Sequence, residues 1–296
     1  MSLLALGTSV TWGQGLRSEE KFTHIVGKSL GLEVRSYAHS GATLWDPRES
    51  YPKDADEALR RLELREAGAE GAAVVNPAHG ERPSRKPYLW KQLISASMLE
   101  RPDVVLVDAG ANDVDFISQI VTPDRRPSEV ATAIEKLRLP TEWFLRSVLQ
   151  KFPTAVVVVT SYYEAFTMTS DLSKSQLGWF LGDFLATVVP STAVTNSLAF
   201  KVGFERIVGG AVDKIGESRL RFAPPDFGSD NGLFTGRSLL WEPGPLGAPQ
   251  DHVIEERRAL ARGSVLDREI CLRASFGHPN VQGARRYADA ILGALQ

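Results

Sequence analysis

Residues 3–13, LLALGTSVTWG, combine a short apolar run with a turn bounded by glycines, as at the end of a parallel strand. A continuous apolar run of this length is typical of a strand buried on both faces. Similar runs occur at Val104–Asp108 and Ala155–Thr160, and less clearly at Leu32–Tyr37. A fifth stretch, Arg219–Ala223, alternates in polarity and suits a strand nearer the sheet edge. The chain therefore carries five predicted strands.

Stretches with helical periodicity separate these strands. Apolar residues share one helix face in Phe22–Leu30, and that helix is predicted to end at Gly31. The same pattern occurs in Thr141–Phe152, where we expect Pro140 to interrupt the preceding helix, and from about Gly283 to the end. Alternating strands and helices indicate a parallel sheet covered by helices on both faces.

Three stretches depart from this alternation, at about residues 46–101, 161–190 and 223–263. The first is long, charged and interrupted by glycine and proline, the second is rich in aromatic residues, and the third is rich in proline. None has a repeating apolar pattern of its own. We therefore expect insertions over the sheet edge within a single domain that spans residues 1–296.

Composition limits the classes of function. Of the 296 residues, 43% are hydrophobic and 24% charged, and the formal net charge is -2, so no positive field would attract nucleic acid or an anionic membrane. The single cysteine, Cys271, excludes an internal disulfide. No secretion signal is visible, and no apolar run approaches the ~20 residues that span a bilayer. We expect a cytoplasmic protein with no nucleic-acid partner and no integral membrane segment.

A serine and a glycine follow the first two predicted strands. Ser9 lies in a strand-to-helix turn, where its hydroxyl would be exposed and the N–H groups of the next helix would point toward it. Gly41 follows the second strand, and its N–H could bind an oxyanion. Each also has an ordinary structural interpretation, since Ser9 could cap a helix and Gly41 could make a turn.

Two further blocks carry an amide and an imidazole. Asn112 follows the third strand, and its side chain is a neutral donor that can face a developing oxyanion. His278 precedes the last helix, where Pro279 stiffens the chain and Asn280 can cap the helix. Histidine titrates near neutrality, which suits it to take and return a proton. A plain turn at Asn112 and a structural role for His278 are the alternatives.

In chain order, Ser9, Gly41, Asn112 and His278 resemble the four blocks of the SGNH (GDSL-type) hydrolase family of esterases and lipases. The resemblance extends over residues 7–283, and the blocks around Asn112 and His278 are the more specific ones. It implies a flavodoxin-like three-layer α/β/α sandwich with five parallel strands in the order 2-1-3-4-5. It also implies that Ser9 is the nucleophile and His278 the general base. The Ser9 N–H, the Gly41 N–H and the Asn112 side chain would form the oxyanion hole.

The chain departs from the family pattern at two positions. Thr8 stands where the family usually has an aspartate before the nucleophile. Ser275 stands three residues before His278, where the family has the aspartate that orients the imidazole. We favour a backbone carbonyl in Ala274–Phe276 as the replacement acceptor, which would give a Ser–His dyad. The alternative is a carboxylate from a variable loop, and the residues considered are Asp226, Asp230, Asp251 and Asp267.

The resemblance implies hydrolysis of a small-molecule or lipid carboxylic ester through an acyl-enzyme on Ser9, with no metal and no cofactor. The histidines and the cysteine lack metal-ligand spacing, and we expect Asp113 and Asp115 to lie in a solvated turn. One alternative is a lipase or phospholipase acting on aggregated lipid, and another is a catalytically silent binding module. A nucleotide-binding flavodoxin-like protein is a third, disfavoured because no phosphate-binding loop is present.

Aromatic residues in two of the predicted insertions could cover the site. They would line an apolar slot or lid for an acyl chain, or simply form the core of a helical insertion, which is the simpler interpretation. The residues are Tyr162, Tyr163, Phe166, Trp179, Phe180, Leu181, Phe184, Leu185, Phe227, Phe234 and Trp241.

Overall fold

The computed structural model describes residues 1–46, 49–66, 81, 88–108, 110–172, 189–244, 249–260 and 271–296. All five predicted strands are present and form one parallel sheet in the order β2-β1-β3-β4-β5, as predicted. Their bounds are β1 Ser2–Leu6, β2 Glu33–Ser36, β3 Val104–Val107, β4 Val156–Val159 and β5 Leu220–Phe222. The neighbouring strands β1 and β3 end next to each other, at the edge of the sheet where Ser9 lies.

The three central strands are almost wholly buried, because helices cover both faces of the sheet there. The prediction of a buried second strand is wrong. β2 pairs only with β1, so it lies at the sheet edge and exposes Glu33 and Arg35 to solvent. The alternating stretch at β5 does form the opposite edge, as expected.

Ten helices are described in these ranges. They are α1 Ser9–Trp12, α2 Phe22–Leu30, α3 Ala55–Glu66, α4 Leu89–Leu99, α5 Phe116–Val121, α6 Pro127–Glu135, α7 Arg138–Lys151, α8 Pro190–Ile215, α9 Ile254–Leu260 and α10 Val281–Leu295. The first and last long helices, α2 and α10, pack against each other and against the sheet. On the opposite face, α4 contacts β1 and α7, while α8 contacts α7 and β5. Right-handed crossovers between parallel strands produce this division into two helical layers.

Two helices differ from the sequence-based expectation. The first is α7, which begins at Arg138 and holds Pro140 in its first turn, so the predicted start after Pro140 is wrong. Proline is tolerated there because a first-turn N–H has no acceptor within the helix. The second is α4, which lies within the predicted insertion at 46–101 but connects β2 to β3 as a crossover helix. The single-domain organisation stays a prediction.

Most of the described aromatic residues proposed to cover the site lie in the core, and Trp241 is partly buried against it. Tyr162, Tyr163 and Phe166 are buried at the end of β4. Phe227 stacks on Tyr163 with ring centroids 5.1 Å apart, and Phe234 lies nearly parallel to Phe166. The members from Trp179 to Leu185 lie outside the described residues. Across the described ranges, no helix combines the length and apolarity needed to span a membrane.

Two helical glycines make a matched test of the packing. A Cβ at Gly27, on α2, would lie 2.3 Å from Val34 Cγ2, whereas a Cβ at Gly210, on α8, would meet nothing within 4 Å. We expect Gly27→Ala to lower the free energy of unfolding by about 1–3 kcal/mol through overpacking. Gly210→Ala should raise it by about 0.5–1 kcal/mol, because alanine favours helix. Chemical denaturation of both variants measures this, and changes of the same sign would contradict the described contact of α2 with β2.

Candidate active site

Ser9 and His278, which lie near opposite ends of the chain, meet at the carboxyl edge of the sheet. Ser9 is the first residue of α1, directly beyond β1, and its side chain is buried. Its Oγ lies 2.6 Å from His278 Nε2. This is the distance of a serine–imidazole hydrogen bond.

The backbone before Ser9 is held by two side chains from neighbouring elements. Gln92, on α4, accepts from the Gly7 N–H at 2.8 Å and donates to the Gly7 carbonyl at 3.0 Å. Asp108, just beyond β3, accepts from the Thr8 N–H and from the Thr8 hydroxyl, each at 2.6 Å. A Cβ at Gly7 would lie 1.9 Å from Asp108 Oδ1, so only glycine allows this approach.

Asp108 supplies a carboxylate beside the segment of Ser9, close to Thr8, the position that usually carries an aspartate in the family that the sequence resembles. The side chain is fully buried, and burial raises its pKa while the bonds from Thr8 lower it. Tyr162 donates a further, longer hydrogen bond of 3.4 Å to Asp108 Oδ2. Asp108 was not among the predicted site residues, although an acidic residue ending an otherwise apolar strand is a visible signal.

The predicted oxyanion residues Gly41 and Asn112 lie in adjacent loops. Gly41 has φ 79° and occupies the third position of a turn closed by the Ala42 N–H and the His39 carbonyl, a position that requires positive φ. Asn112 Nδ2 donates to the Ala42 carbonyl at 2.8 Å. Because an amide group carries two N–H bonds, this contact uses only one of them. The His39 N–H also bonds the Gly7 carbonyl, which ties this turn to the loop of Ser9.

Asp113 does not lie in a solvated turn as predicted. It is partly buried, and it accepts from the Leu44 N–H at 2.8 Å and from the Tyr51 hydroxyl at 2.6 Å. Burial raises its pKa to about 6. Asp113 thus joins the loop beyond β2 to the loop beyond β3, while Asp115 is exposed.

The loop of His278 is fixed from three sides. Trp241 pairs with it in an antiparallel manner, donating its N–H to the His278 carbonyl and accepting from the Gly277 N–H. The Tyr163 hydroxyl donates to the Gly277 carbonyl. Asn280 accepts from the first N–H groups of α10 and so caps that helix, as predicted. The imidazole is therefore held on a rigid segment.

The far nitrogen of the imidazole has no acidic partner among the described residues. His278 Nδ1 is buried and meets no acceptor at full hydrogen-bond geometry in those ranges. Burial lowers the pKa of His278 to about 4, and the carbonyl groups of Ser275 and Phe276 raise it in part. These are carbonyl groups of the segment that the sequence analysis favoured.

Four carboxylates were considered as partners of the imidazole, and Asp251 is one that contacts the segment leading to His278. It accepts a hydrogen bond from the Ser275 hydroxyl and does not bond the imidazole. Asp226 is exposed, Asp230 pairs with Arg237, and Asp267 lies outside the described residues. In the part of the chain that the structure describes, no group of three or more metal-ligating side chains occurs.

No protein-family model and no curated protein sequence matches the chain. Solved structures do resemble it. The extracellular lipase of Streptomyces rimosus shares 14% identity, with 99% of each chain covered and a TM-score of 0.58. Phospholipase A1 of Streptomyces albidoflavus NA297 shares 13% identity, with 99% of this chain and 98% of that chain covered and a TM-score of 0.54. At these identities the likeness is one of fold, and with the observed strand order it confirms the predicted flavodoxin-like three-layer architecture.

The hydrogen bond from Thr8 to Asp108 should contribute measurably to the free energy of unfolding. Thr8→Val keeps the shape of the side chain but removes a donor to a fully buried carboxylate, so we expect a loss of about 1–3 kcal/mol in the free energy of unfolding. Thr195→Val is the matched control, since Thr195 is exposed on α8, and should stay within about 0.5 kcal/mol. Urea unfolding measures both. Equal, small changes would mean that the Thr8 hydroxyl does not satisfy Asp108.

Proposed function

We propose that the protein is a serine-dependent hydrolase of carboxylic esters that works through an acyl-enzyme on Ser9, with His278 as general base. The observation that carries this proposal is the 2.6 Å contact between Ser9 Oγ and His278 Nε2 at the carboxyl edge of the sheet. A serine hydroxyl becomes a useful nucleophile when an adjacent base takes its proton. The SGNH-type fold supports the same reaction class.

The first half of the reaction forms the acyl-enzyme. Ser9 Oγ attacks the ester carbonyl carbon while its proton passes to His278 Nε2, and the carbonyl electron pair moves onto oxygen. The Ser9 N–H, the Gly41 N–H and the second Asn112 N–H are the proposed donors to that oxyanion. When the tetrahedral intermediate collapses, the alkoxide leaves and takes the proton from Nε2. Water then repeats these steps and releases the acid.

This scheme requires one tautomer of His278. Nε2 must be unprotonated to accept from Ser9, so Nδ1 carries the hydrogen and faces an electron-rich group. The carbonyl groups of Ser275 and Phe276 serve that purpose, because their effect on the ring is to favour its protonated form. The result is a Ser–His dyad without a carboxylate in direct contact.

The direct test is turnover of a short-chain p-nitrophenyl ester by the parent chain and by Ser9→Ala. We expect Ser9→Ala to lose at least about 10³-fold in kcat/KM, as when the nucleophile of a serine hydrolase is removed. Ser29→Ala, at an exposed position on α2, should match the parent. Undiminished turnover by Ser9→Ala would refute the proposal.

A fluorophosphonate probe and a series of acyl chain lengths separate the alternatives. Labelling of the parent but not of Ser9→Ala is expected from an activated serine. Failure to label the parent would favour a silent binding module. Two of the similar solved structures are a lipase and a phospholipase A1, and a steep rise in kcat/KM with acyl length on aggregated substrate would favour lipid esters.

The pH dependence of kcat/KM follows from the imidazole. Protonated His278 cannot accept the Ser9 proton, so activity should rise with pH as the ring loses its proton. Burial lowers the pKa of His278 to about 4, although the residue keeps some exposure. The midpoint of the acid limb should therefore lie below the ordinary histidine pKa of about 6.5. Rates across the acid and neutral range measure this. A midpoint at or above about 7 would contradict a neutral, desolvated base.

A further inference from the structure

A cluster of four buried charged side chains lies beside the site and takes no part in the proposed chemistry. Arg257, on α9, is fully buried and pairs with both Asp251 and Glu81. Lys21 Nζ lies 3.9 Å from Glu81 Oε1. Burial raises the pKa of Glu81 and lowers that of Lys21 to about 8, in each case opposed by the neighbouring opposite charges. Two cations thus face two carboxylates.

One side of this cluster bonds the segment that leads to His278. Asp251 accepts from the hydroxyl of Ser275, a residue with no solvent exposure. Arg257 Nε donates to the Cys271 carbonyl at 2.6 Å. The Ser275 carbonyl in turn accepts the His278 backbone N–H at 2.9 Å. The cluster therefore fixes the backbone whose carbonyl groups face the imidazole.

The other side of the cluster bonds the segment that follows Ser9. Glu81 accepts from Trp12 Nε1 at 2.8 Å and from Gln14 Nε2 at 2.7 Å. The Gly15 N–H completes this set at 3.3 Å. Since Trp12 ends the short helix that begins at Ser9, Glu81 fixes the end of the nucleophile helix. Arg257, bonded to Glu81 and to Asp251, joins the two sides.

We propose that the Asp251–Arg257 ion pair positions His278 against Ser9, with Asp251 acting through the Ser275 hydroxyl and Arg257 through Glu81. In this arrangement Asp251 and Ser275 together replace an aspartate that would contact the imidazole. Asp251 is a positioning residue, because a serine stands between its carboxylate and the ring. This role depends on the proposed esterase function.

A positional role also accounts for the burial of these charges. A buried ion pair adds little net stability over well-packed apolar side chains, but its hydrogen bonds are directional and fix the groups that make them. Arg257 bonds Asp251 through two nitrogens, so the carboxylate can present Oδ2 to Ser275 in only one orientation. Loosening Ser275 would loosen the acceptors of the imidazole.

Ser275→Ala is the sharpest variant, because it removes only the hydroxyl and leaves the ion pair intact. We expect kcat per active site to fall roughly tenfold to hundredfold, the range for loss of an outer hydrogen-bond partner of a metal-bound histidine, with KM little changed. Ser147→Ala is the matched control. Ser147 is a buried serine on α7, and this variant should have the same activity as the parent. Titration with the fluorophosphonate probe gives the active fraction, so a loss of folded protein is not counted as a loss of rate.

Asp251→Asn gives a second readout, which a purely structural role would not move. Two charged groups act on the ring: Asp251 raises the pKa of His278 and Arg257 lowers it. The carbonyl groups of Ser275 and Phe276 also raise this pKa, and the Ser9 hydroxyl bonds Nε2. Glu81 pairs with Arg257, and Lys21 pairs with Glu81. Removing the Asp251 charge should therefore move the acid limb of kcat/KM to lower pH while the plateau falls.

Each outcome decides a different question. A parent chain that neither turns over esters nor reacts with the probe overturns the proposed function. An active parent whose Ser275→Ala variant keeps its full kcat per active site overturns the positional role alone. Should Asp251→Asn fail to fold, Ser275→Ala still decides. A lower kcat in Ser275→Ala, with Ser147→Ala unchanged, supports the role.

Discussion

The hydrogen bonds from Thr8 to Asp108 join the carboxyl ends of β1 and β3, and the geometry of the site follows from that joint. The two strands are parallel neighbours, so the residues just beyond them approach each other at one sheet edge. The carboxylate is fully buried and must be satisfied locally, since an unpaired buried charge costs several kcal/mol. The Thr8 N–H and hydroxyl satisfy it, and Ser9 is thereby held at the start of α1. Gly7 leaves the room that this approach requires.

The same device occurs around the imidazole. The family pattern places one aspartate before the nucleophile and another before the histidine, and this chain has Thr8 and Ser275 at those positions. In each case the hydroxyl at the departing position bonds a buried carboxylate from elsewhere in the chain, Asp108 for Thr8 and Asp251 for Ser275. A short polar side chain that bonds a distant acid thus stands at each position where the family pattern has an aspartate. The charge stays near the site although its place in the sequence has changed.

The fold and the pairing of Ser9 with His278 could be predicted from the sequence, whereas the residues that Asp108 and Asp251 bond could not. Buried parallel strands appear as continuous apolar runs, and the order of blocks along the chain fixes which loops meet. Asp108 and Asp251 act through contacts with residues 100 and 24 positions away, and no local pattern records such partners. The exposure of β2 was also missed, although the predicted strand order places it at the edge, because Val34 and the flanking leucine and tyrosine suggested a buried run. The turn at Asp113 was misjudged since a polar sequence does not reveal that Leu44 and Tyr51 would close over it.

The electrostatics of His278 combine two requirements that oppose each other. A base that must be neutral before the reaction benefits from a lowered pKa, which burial and the charge of Arg257 provide. In the proposed reaction, the imidazolium formed as Ser9 loses its proton needs the opposite, a nearby negative potential. Asp251 supplies such a potential without contacting the ring, and the carbonyl groups of Ser275 and Phe276 supply dipoles that do not titrate. Asp251 pairs with Arg257 and bonds Ser275 rather than the imidazole, so it stabilises the charged ring less than a carboxylate in direct contact would. The ring therefore stays unprotonated over a wider range of pH.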